Sequence, residues 1–167
     1  EGINYAAPPI CRRQILHGRE FPKCNWSRRN HIVKRSKILL ETGIKGRKEI
    51  IVTREKTAKA MGSGTLDVFA TPAMIALMEN TAYESVAGEL EEGSGTVGTA
   101  LNVKHVAATP VGMKVICETE LVKVEGRALT FSVKAFDEKG LIGEGEHERF
   151  IIFNEKFQAK ADAKLQK

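Results

Sequence analysis

The sequence predicts an α+β protein in which an antiparallel sheet of about five strands wraps around one central helix. Two observations support this fold class. One long apolar segment has the spacing of a helix, and the segments after it alternate between apolar and polar residues. A strand before the helix and a run of strands after it are typical of α+β proteins. The length of 167 residues suits a single domain.

The first elements are a short strand, a loop and the helix. β-Branched residues at 48–53 predict the strand, and the glycines of residues 60–66 predict the loop. We expect the helix to begin with Thr71 as N-cap and Pro72 as first helical residue, and to end at Gly88 as C′ residue. Because apolar residues surround most of its circumference, the helix is expected to be buried nearly all round.

The remaining elements are four strands, which we expect to follow one another as hairpins. They are predicted at residues 96–105, 113–124, 128–135 and 141–153. In the first of them, the odd-numbered side chains from Val97 to His105 are expected on the covered side. Gly126 predicts a tight hairpin turn. Such a sheet leaves one edge and one helix flank uncovered, and a second copy of the chain commonly buries them, so we expect a homodimer.

The positive charge of the chain is concentrated in its first 37 residues. Residues 1–37 contain nine of the 26 basic residues and two of the 21 acidic residues. We interpret them as a basic N-terminal extension, disordered or added to the natural chain, with a targeting segment and an RNA- or anion-binding arm as alternatives. The domain itself is expected at residues 38–160, and a solvated tail at residues 161–167.

The composition excludes several classes of protein. Cys11, Cys24 and Cys117 have no paired spacing, which predicts a reduced, cytoplasmic protein with Cys117 as a buried small hydrophobe. No apolar run approaches the roughly 20 residues of a membrane span. Phosphate loops, GxSxG elbows, HExxH motifs and Cys/His clusters are absent from the sequence. We therefore expect no metal, no other cofactor, and neither a membrane nor a nucleic acid as partner.

Glu79 is the first candidate for chemistry, because it lies in the middle of the apolar helix. The segment 60–103 contains no Lys or Arg, so no charged partner is near in sequence. Burying an unpaired carboxylate is costly. Either Glu79 reaches solvent at a helix flank, or it is a buried acid that serves as a base or nucleophile.

Three further places carry polar groups that could take part in chemistry. His105 is expected at the end of a strand, on the covered side. It is either a residue of the site or a hydrogen-bonded histidine of the core. Thr71 lies beside backbone N–H groups that can stabilise an oxyanion, and Glu79 follows about 12 Å along the helix axis. The motif at residues 147–149, His-Glu-Arg, is expected to be a surface charge ladder or an ion pair at a dimer seam.

Several short motifs stand in an order that is found in a known family. They are Val68-Phe69-Ala70-Thr71, Leu77-Met78-Glu79, Val97-Gly98-Thr99-Ala100, Ala107-Ala108-Thr109-Pro110, Val124-Glu125-Gly126-Arg127 and His147-Glu148-Arg149. With these motifs the chain resembles, over residues 38–160, the hotdog-fold acyl-CoA thioesterases of the fluoroacetyl-CoA thioesterase type. The resemblance implies a hotdog fold that is active as a dimer, with its site at the subunit interface. A tetramer is the alternative assembly.

The resemblance also implies the roles of individual residues. The family's catalytic residues fall on Thr71, Glu79 and His105, and its glycine near the thioester carbonyl falls on Gly98. We assign Gly98 and Arg149 to substrate binding. The loop before the helix departs from the family pattern: residues 62 and 65 are glycine and threonine where the fluoroacetyl enzyme has aromatic side chains. The resemblance therefore implies acyl-CoA hydrolysis without implying discrimination for fluoroacetate.

The expected function is hydrolysis of a short-chain acyl-CoA thioester to free acid and CoA. Glu79, helped by His105 of the facing protomer, would activate water or attack the carbonyl itself. One alternative is a hotdog hydratase or dehydratase that acts on enoyl thioesters. The other is a non-catalytic hotdog module that binds acyl-CoA. Release of free CoA separates the first function from both alternatives.

Overall fold

The computed structural model of the protein describes residues 40–165. Their elements are β1 (Lys45–Ile51), α1 (Thr71–Ala87), β2 (Ser94–His105), β3 (Lys114–Glu125), β4 (Ala128–Asp137), β5 (Gly140–Phe153) and α2 (Asn154–Asp162), with 3-10 turns at Arg54–Lys56 and Ala163–Leu165. The predicted α+β class and the five strands are confirmed. The basic extension, with Cys11 and Cys24, lies outside the described residues. Among residues 40–165 no helix is long and apolar enough to cross a membrane.

The five strands form one antiparallel sheet in the order β1-β3-β4-β5-β2. The expected succession of hairpins is correct for β3, β4 and β5, and Gly126 has the predicted positive φ of 63°. It is wrong for β2, which pairs with β5 at the opposite edge of the sheet from β1. The connection after β2 binds the segment before α1 instead, where the Phe69 N–H donates to the Thr109 carbonyl at 2.8 Å. Alternation indicates which face a strand covers but not which strand it pairs with.

Helix α1 packs one face against the sheet. Its buried residues are Ala73, Met74, Leu77, Met78, Thr81, Ala82 and Val86. The alternating side chains of β4 face this helix side and are also buried, as predicted: Leu129, Phe131, Val133 and Ala135. The expectation that the helix is buried all round is wrong for this chain, because Ala76 and Tyr83 are exposed on the opposite face. Small apolar residues such as Ala76 tolerate either environment, so they do not predict burial.

The two ends of α1 differ in detail from the prediction. Ala70 occupies the N-cap position and Thr71 is the first helical residue, so the Thr71 hydroxyl does not cap the helix. The helix ends before Gly88 as predicted, but Gly88 has a φ of −73° and needs no left-handed conformation. Residues 154–165 are exposed, and Asn154–Asp162 form α2, which the sequence pattern does not predict.

A bulge in β2 decides which of its side chains face the helix. Gly98 pairs with Arg149 and Ala100 pairs with Glu148, the residue before Arg149, so Thr99 is an extra residue in the strand. Two directly paired residues of neighbouring strands point to the same face of the sheet. In β2, even-numbered residues face the helix before the bulge and odd-numbered residues face it after the bulge. His105 is therefore on the covered side as expected, whereas Val97 is not. A single inserted residue leaves no signal in an alternating pattern of small and polar residues.

The remaining sequence prediction for the core concerns Cys117. Its side chain is fully buried in β3, as predicted, and its thiol is free. Burial raises the pKa of the Cys117 thiol to about 11, so the thiol is protonated at neutral pH.

Candidate functional site

Thr71 and His105 form the first part of the candidate site. Thr71 lies in the first turn of α1 and His105 is the last residue of β2, and a hydrogen bond of 2.9 Å joins Thr71 Oγ1 and His105 Nδ1. The other ring nitrogen, Nε2, is buried and has no hydrogen-bond partner among residues 40–165. Both residues line a cleft of about 280 Å³ together with the segments before α1 and after β2. The hydroxyl is thus paired with an imidazole instead of capping its helix.

Glu79 lies two turns further along α1, in a second cleft. This cleft of about 430 Å³ is also lined by Tyr83, Gly98 and Arg149. A methyl group placed on Gly98 would lie 2.6 Å from Glu79 Oε1 and 3.2 Å from His147 Cε1. The carboxylate therefore rests against the backbone of β2 at Gly98, and only a residue without a side chain leaves this space.

Arg149 supplies the positive charge of the second cleft. Its guanidinium donates from Nε to Thr96 Oγ1 and from Nη2 to the Thr96 carbonyl, both at 2.8 Å. Nη1 donates to His147 Nε2 at 3.0 Å and lies 3.5 Å from the Glu79 carbonyl. Burial lowers the pKa of Arg149 from its ordinary value and the Glu79 carboxylate raises it, but an arginine stays charged in proteins. Arg149 on β5 is thus a cation in the same cleft as Glu79, although it is distant from it in sequence.

His147 lies beneath this cleft and is fully buried. Its Nδ1 donates to the Ala100 carbonyl at 3.0 Å, and its Nε2 accepts from Arg149. Because a carbonyl only accepts, the proton of the neutral ring is on Nδ1. Burial lowers the pKa of His147, and the charge of Arg149 lowers it further, while the Ala100 hydrogen bond and Glu79 oppose these effects. The ring is therefore neutral near neutral pH.

The expected surface charge ladder at residues 147–149 is wrong for two of its three members. His147 and Arg149 face the helix and are buried, whereas Glu148 is exposed on the other face. His147 and Arg149 point to the same side of β5, as predicted. That side is the covered one and not the surface. Ile151, which is buried and has the same parity, is the signal in the sequence that could have placed them on the covered side.

The candidate residues fall into two groups within one chain. The predicted residues Thr71 and His105 meet in the first cleft, and Glu79, Gly98 and Arg149 meet in the second, with no residue lining both. A hydroxyl–imidazole pair and a carboxylate beside a guanidinium are groups that can bind and activate a carbonyl compound. Within the described part of the chain, no group of three or more His, Cys, Asp or Glu side chains could hold a metal ion.

The sheet around α1 and these two polar groups define a hotdog-fold protein of the thioesterase class. The family model for fluoroacetyl-CoA-specific thioesterases, FlK, matches residues 52–155. The chain belongs to this family.

Individual relatives agree with this assignment. The fluoroacetyl-CoA thioesterase of Streptantibioticus cattleyicolor is 48% identical over 98 residues, which are 59% of this chain and 70% of that protein. A solved structure of the fluoroacetyl-CoA thioesterase FlK is 39% identical, with a TM-score of 0.72, and covers 75% of this chain and 97% of its own. A further FlK structure, of a threonine-to-serine mutant in complex with acetyl-CoA, is 38% identical with a TM-score of 0.72, over 75% and 98% of the two chains.

Proposed function

We propose that this protein hydrolyses short-chain acyl-CoA thioesters to the free acid and CoA. The observation that carries the proposal is the place of the Glu79 carboxylate, which rests on the backbone of Gly98 in an open cleft beside the Arg149 guanidinium. Membership of the fluoroacetyl-CoA-specific thioesterase family gives the class of substrate. The related FlK mutant that was solved with acetyl-CoA holds a short acyl thioester, which supports a short acyl group here as well.

The reaction needs a base or nucleophile, an oxyanion site and a proton donor. In one route Glu79 removes a proton from water, the hydroxide adds to the thioester carbonyl carbon, and the C–S bond breaks as CoA thiolate leaves and is protonated. In the other route the Glu79 carboxylate attacks the carbonyl carbon, the C–S bond breaks as CoA thiolate leaves and is protonated, and water hydrolyses the resulting anhydride to the free acid and the regenerated Glu79 carboxylate. In both routes the Gly98 N–H and the charge of Arg149 stabilise the oxyanion.

We further propose that the active form is a homodimer, with the first cleft of one protomer facing the second cleft of its partner. Glu79 and His105 line different clefts of the same chain, and a second copy would bring them to one substrate. In this arrangement Thr71 and His105 would hold the acyl group, and His105 would assist proton transfer. We also propose a cytoplasmic location, which fits the free Cys117 thiol.

The test is turnover of acetyl-, propionyl- and longer acyl-CoAs by the wild type, followed with a thiol-trapping dye. We expect Glu79→Gln to lower kcat by about 10²–10⁴-fold, because a base or nucleophile is lost. His105→Ala and Thr71→Ala are expected to lower kcat/KM by at least about tenfold. Glu84→Gln is the matched control and should keep its activity, because Glu84 is an exposed glutamate of α1 that lines neither cleft.

Other outcomes would identify other functions. Water addition to an enoyl-CoA without release of free CoA would indicate a hydratase. Tight CoA binding in calorimetry with no turnover of any acyl-CoA would indicate a binding module. Unchanged rates in Glu79→Gln and His105→Ala would remove these residues from the mechanism.

A further inference from the structure

The polar contacts of His147 join two parts of the second cleft that are distant in sequence. On one side its Nδ1–H binds the carbonyl of Ala100, the residue that follows the bulge at Thr99. On the other side its Nε2 accepts a hydrogen bond from Nη1 of Arg149. His147 is thus the link between the strand segment that carries Gly98 and the cation that lies beside Glu79.

We propose that His147 is a positioning residue of the site: it fixes the Arg149 guanidinium and the Gly98–Ala100 backbone in the geometry that the proposed hydrolysis needs. This inference rests on the proposed function. His147 touches the reacting groups only through these two neighbours, so it is not assigned a proton-transfer step of its own.

The chemistry of imidazole suits this task. A neutral ring has one donor and one acceptor on opposite edges, and here both are used, by a backbone carbonyl and by a guanidinium. Full burial holds the ring in place, and its packing neighbour is Phe131, whose ring centroid lies 6.5 Å away. With both nitrogens occupied, His147 has no nitrogen available to act on a substrate.

Fixing Arg149 has a consequence for the donors that remain. Thr96 takes the Nε–H and one Nη2–H, and His147 takes one Nη1–H. A guanidinium carries five N–H groups, so two are left, on Nη1 and Nη2, the former 3.5 Å from the Glu79 carbonyl. Without the acceptor on His147, Nη1 would keep only its long contact to the Glu79 carbonyl, and the guanidinium would be held mainly by Thr96, so that its Nη1 end is less firmly placed in the cleft.

The experiment compares three variants of the full chain. His147→Phe fills the space without either hydrogen bond, and His147→Gln keeps an oxygen that can accept from Arg149. Phe131→Leu is the control, because Phe131 is the buried cross-strand partner of His147 in β4 and makes no polar contact with the site. The readouts are kcat and KM for acetyl-CoA and the urea midpoint of unfolding.

We expect His147→Phe to lower kcat about 10–100-fold while KM changes less than about threefold, because misplaced groups lose transition-state contacts. His147→Gln should regain most of the lost kcat, and Phe131→Leu should lower the urea midpoint with kcat within about threefold of wild type. A loss of kcat in His147→Phe that Phe131→Leu reproduces, or that His147→Gln does not rescue, would overturn the proposal. If His147→Phe does not fold, His147→Asn replaces it, since its side chain is too short to reach Arg149.

A second measurement keeps this test separate from that of the function. If the wild type hydrolyses no acyl-CoA, the proposed function fails, and NMR then decides on His147. We expect the imidazole nitrogen shifts of the wild type to show a proton on Nδ1, and the Arg149 Nη1–H that His147 accepts to exchange slowly in wild type and His147→Gln but faster in His147→Phe. Equal exchange of this Nη1–H in wild type and His147→Phe would contradict the positioning role.

Discussion

At the scale of single residues, the Glu79 carboxylate occupies the space in which a side chain of residue 98 would lie. A methyl group on Gly98 would come within 2.6 Å of Glu79 Oε1, the far end of a flexible side chain. We therefore expect Gly98→Ala to fold, to displace the carboxylate, and to lower kcat for acetyl-CoA by about 10–100-fold. Steady-state kinetics and thermal unfolding together test this expectation.

Gly88 provides the control for this substitution. No atom lies within 4 Å of a methyl group on Gly88, and its φ of −73° suits any residue. Gly88→Ala should leave both kcat and thermal stability close to wild type. A Gly98→Ala variant with wild-type kcat would show that the carboxylate is not needed at this place.

His147 makes the stability of the protein depend on pH. Its pKa is lowered in the folded state from the ordinary value of 6.5, chiefly by burial. The unfolded chain then binds more protons than the folded protein below about pH 6.5, so the free energy of unfolding falls as the pH decreases through this value. We expect the urea midpoint of the wild type to fall between about pH 8 and pH 5, and that of His147→Gln to fall less. An equal pH dependence in the two proteins would contradict this assignment.

Residue chemistry explains which parts of the site could be predicted. Glu79 stands out in the sequence because a carboxylate interrupts an apolar helix with no cation nearby. His147 and Arg149 do not stand out, since charged residues that alternate in a strand are usually solvated. They approach Glu79 and Gly98 only in the folded sheet.

At the scale of elements, β1 and α1 pack at unusually close range. A methyl group on Gly46 would lie 2.7 Å from Thr119 Oγ1, 2.8 Å from the Thr81 carbonyl oxygen and 2.9 Å from Ser85 Cβ. These atoms belong to the helix backbone or to short side chains and cannot move away freely. We expect Gly46→Ala to lower the free energy of unfolding by about 1–3 kcal/mol, measured by urea denaturation.

A double-mutant cycle separates this overpacking from other effects. Thr119 Oγ1 is buried and has no hydrogen-bond partner within the described residues, so Thr119→Ala alone should cost little. In the Gly46→Ala, Thr119→Ala double variant we expect partial recovery of stability, because the Thr81 carbonyl remains in place. Strictly additive effects would mean that the contact to Thr119 does not cause the loss.

The elements also differ in how well the sequence predicts them. The clean alternation of β4 and the length of α1 follow from hydrophobic patterns, which act locally. The pairing of β2 with β5 does not, because it joins residues about fifty positions apart and is decided by packing. The bulge at Thr99 is equally hidden, since one extra residue does not stand out in a segment of small and polar residues.

At the scale of the whole molecule, we predict a homodimer whose sites are shared between protomers. The face of α1 with the exposed Ala76 and Tyr83, and the sheet edge at β2, are surfaces that a second copy could cover. Light scattering coupled to size exclusion should give at least twice the mass of the chain. A monomer mass with full activity would contradict both the dimer and the shared site.

Mixing two inactive variants tests the shared site directly. In a heterodimer of Glu79→Gln with His105→Ala, one of the two sites would combine the intact Glu79 with the intact His105. After unfolding and refolding an equal mixture, we expect about a quarter of wild-type activity, since half of the dimers would carry one intact site. Refolded mixtures without activity would place both residues of one site in the same chain.

The pairing of β2 with β5 has a consequence for synthesis of the protein on the ribosome. The residues of α1 and β2 are translated before those of β5, and β5 carries the Arg149 and His147 of the second cleft. Until β5 has been synthesised, Arg149 is absent from the second cleft and β2 lacks the strand with which it pairs. A nascent chain that stalls before residue 140 thus exposes an unpaired strand edge, which is the form most open to aggregation or chaperone capture.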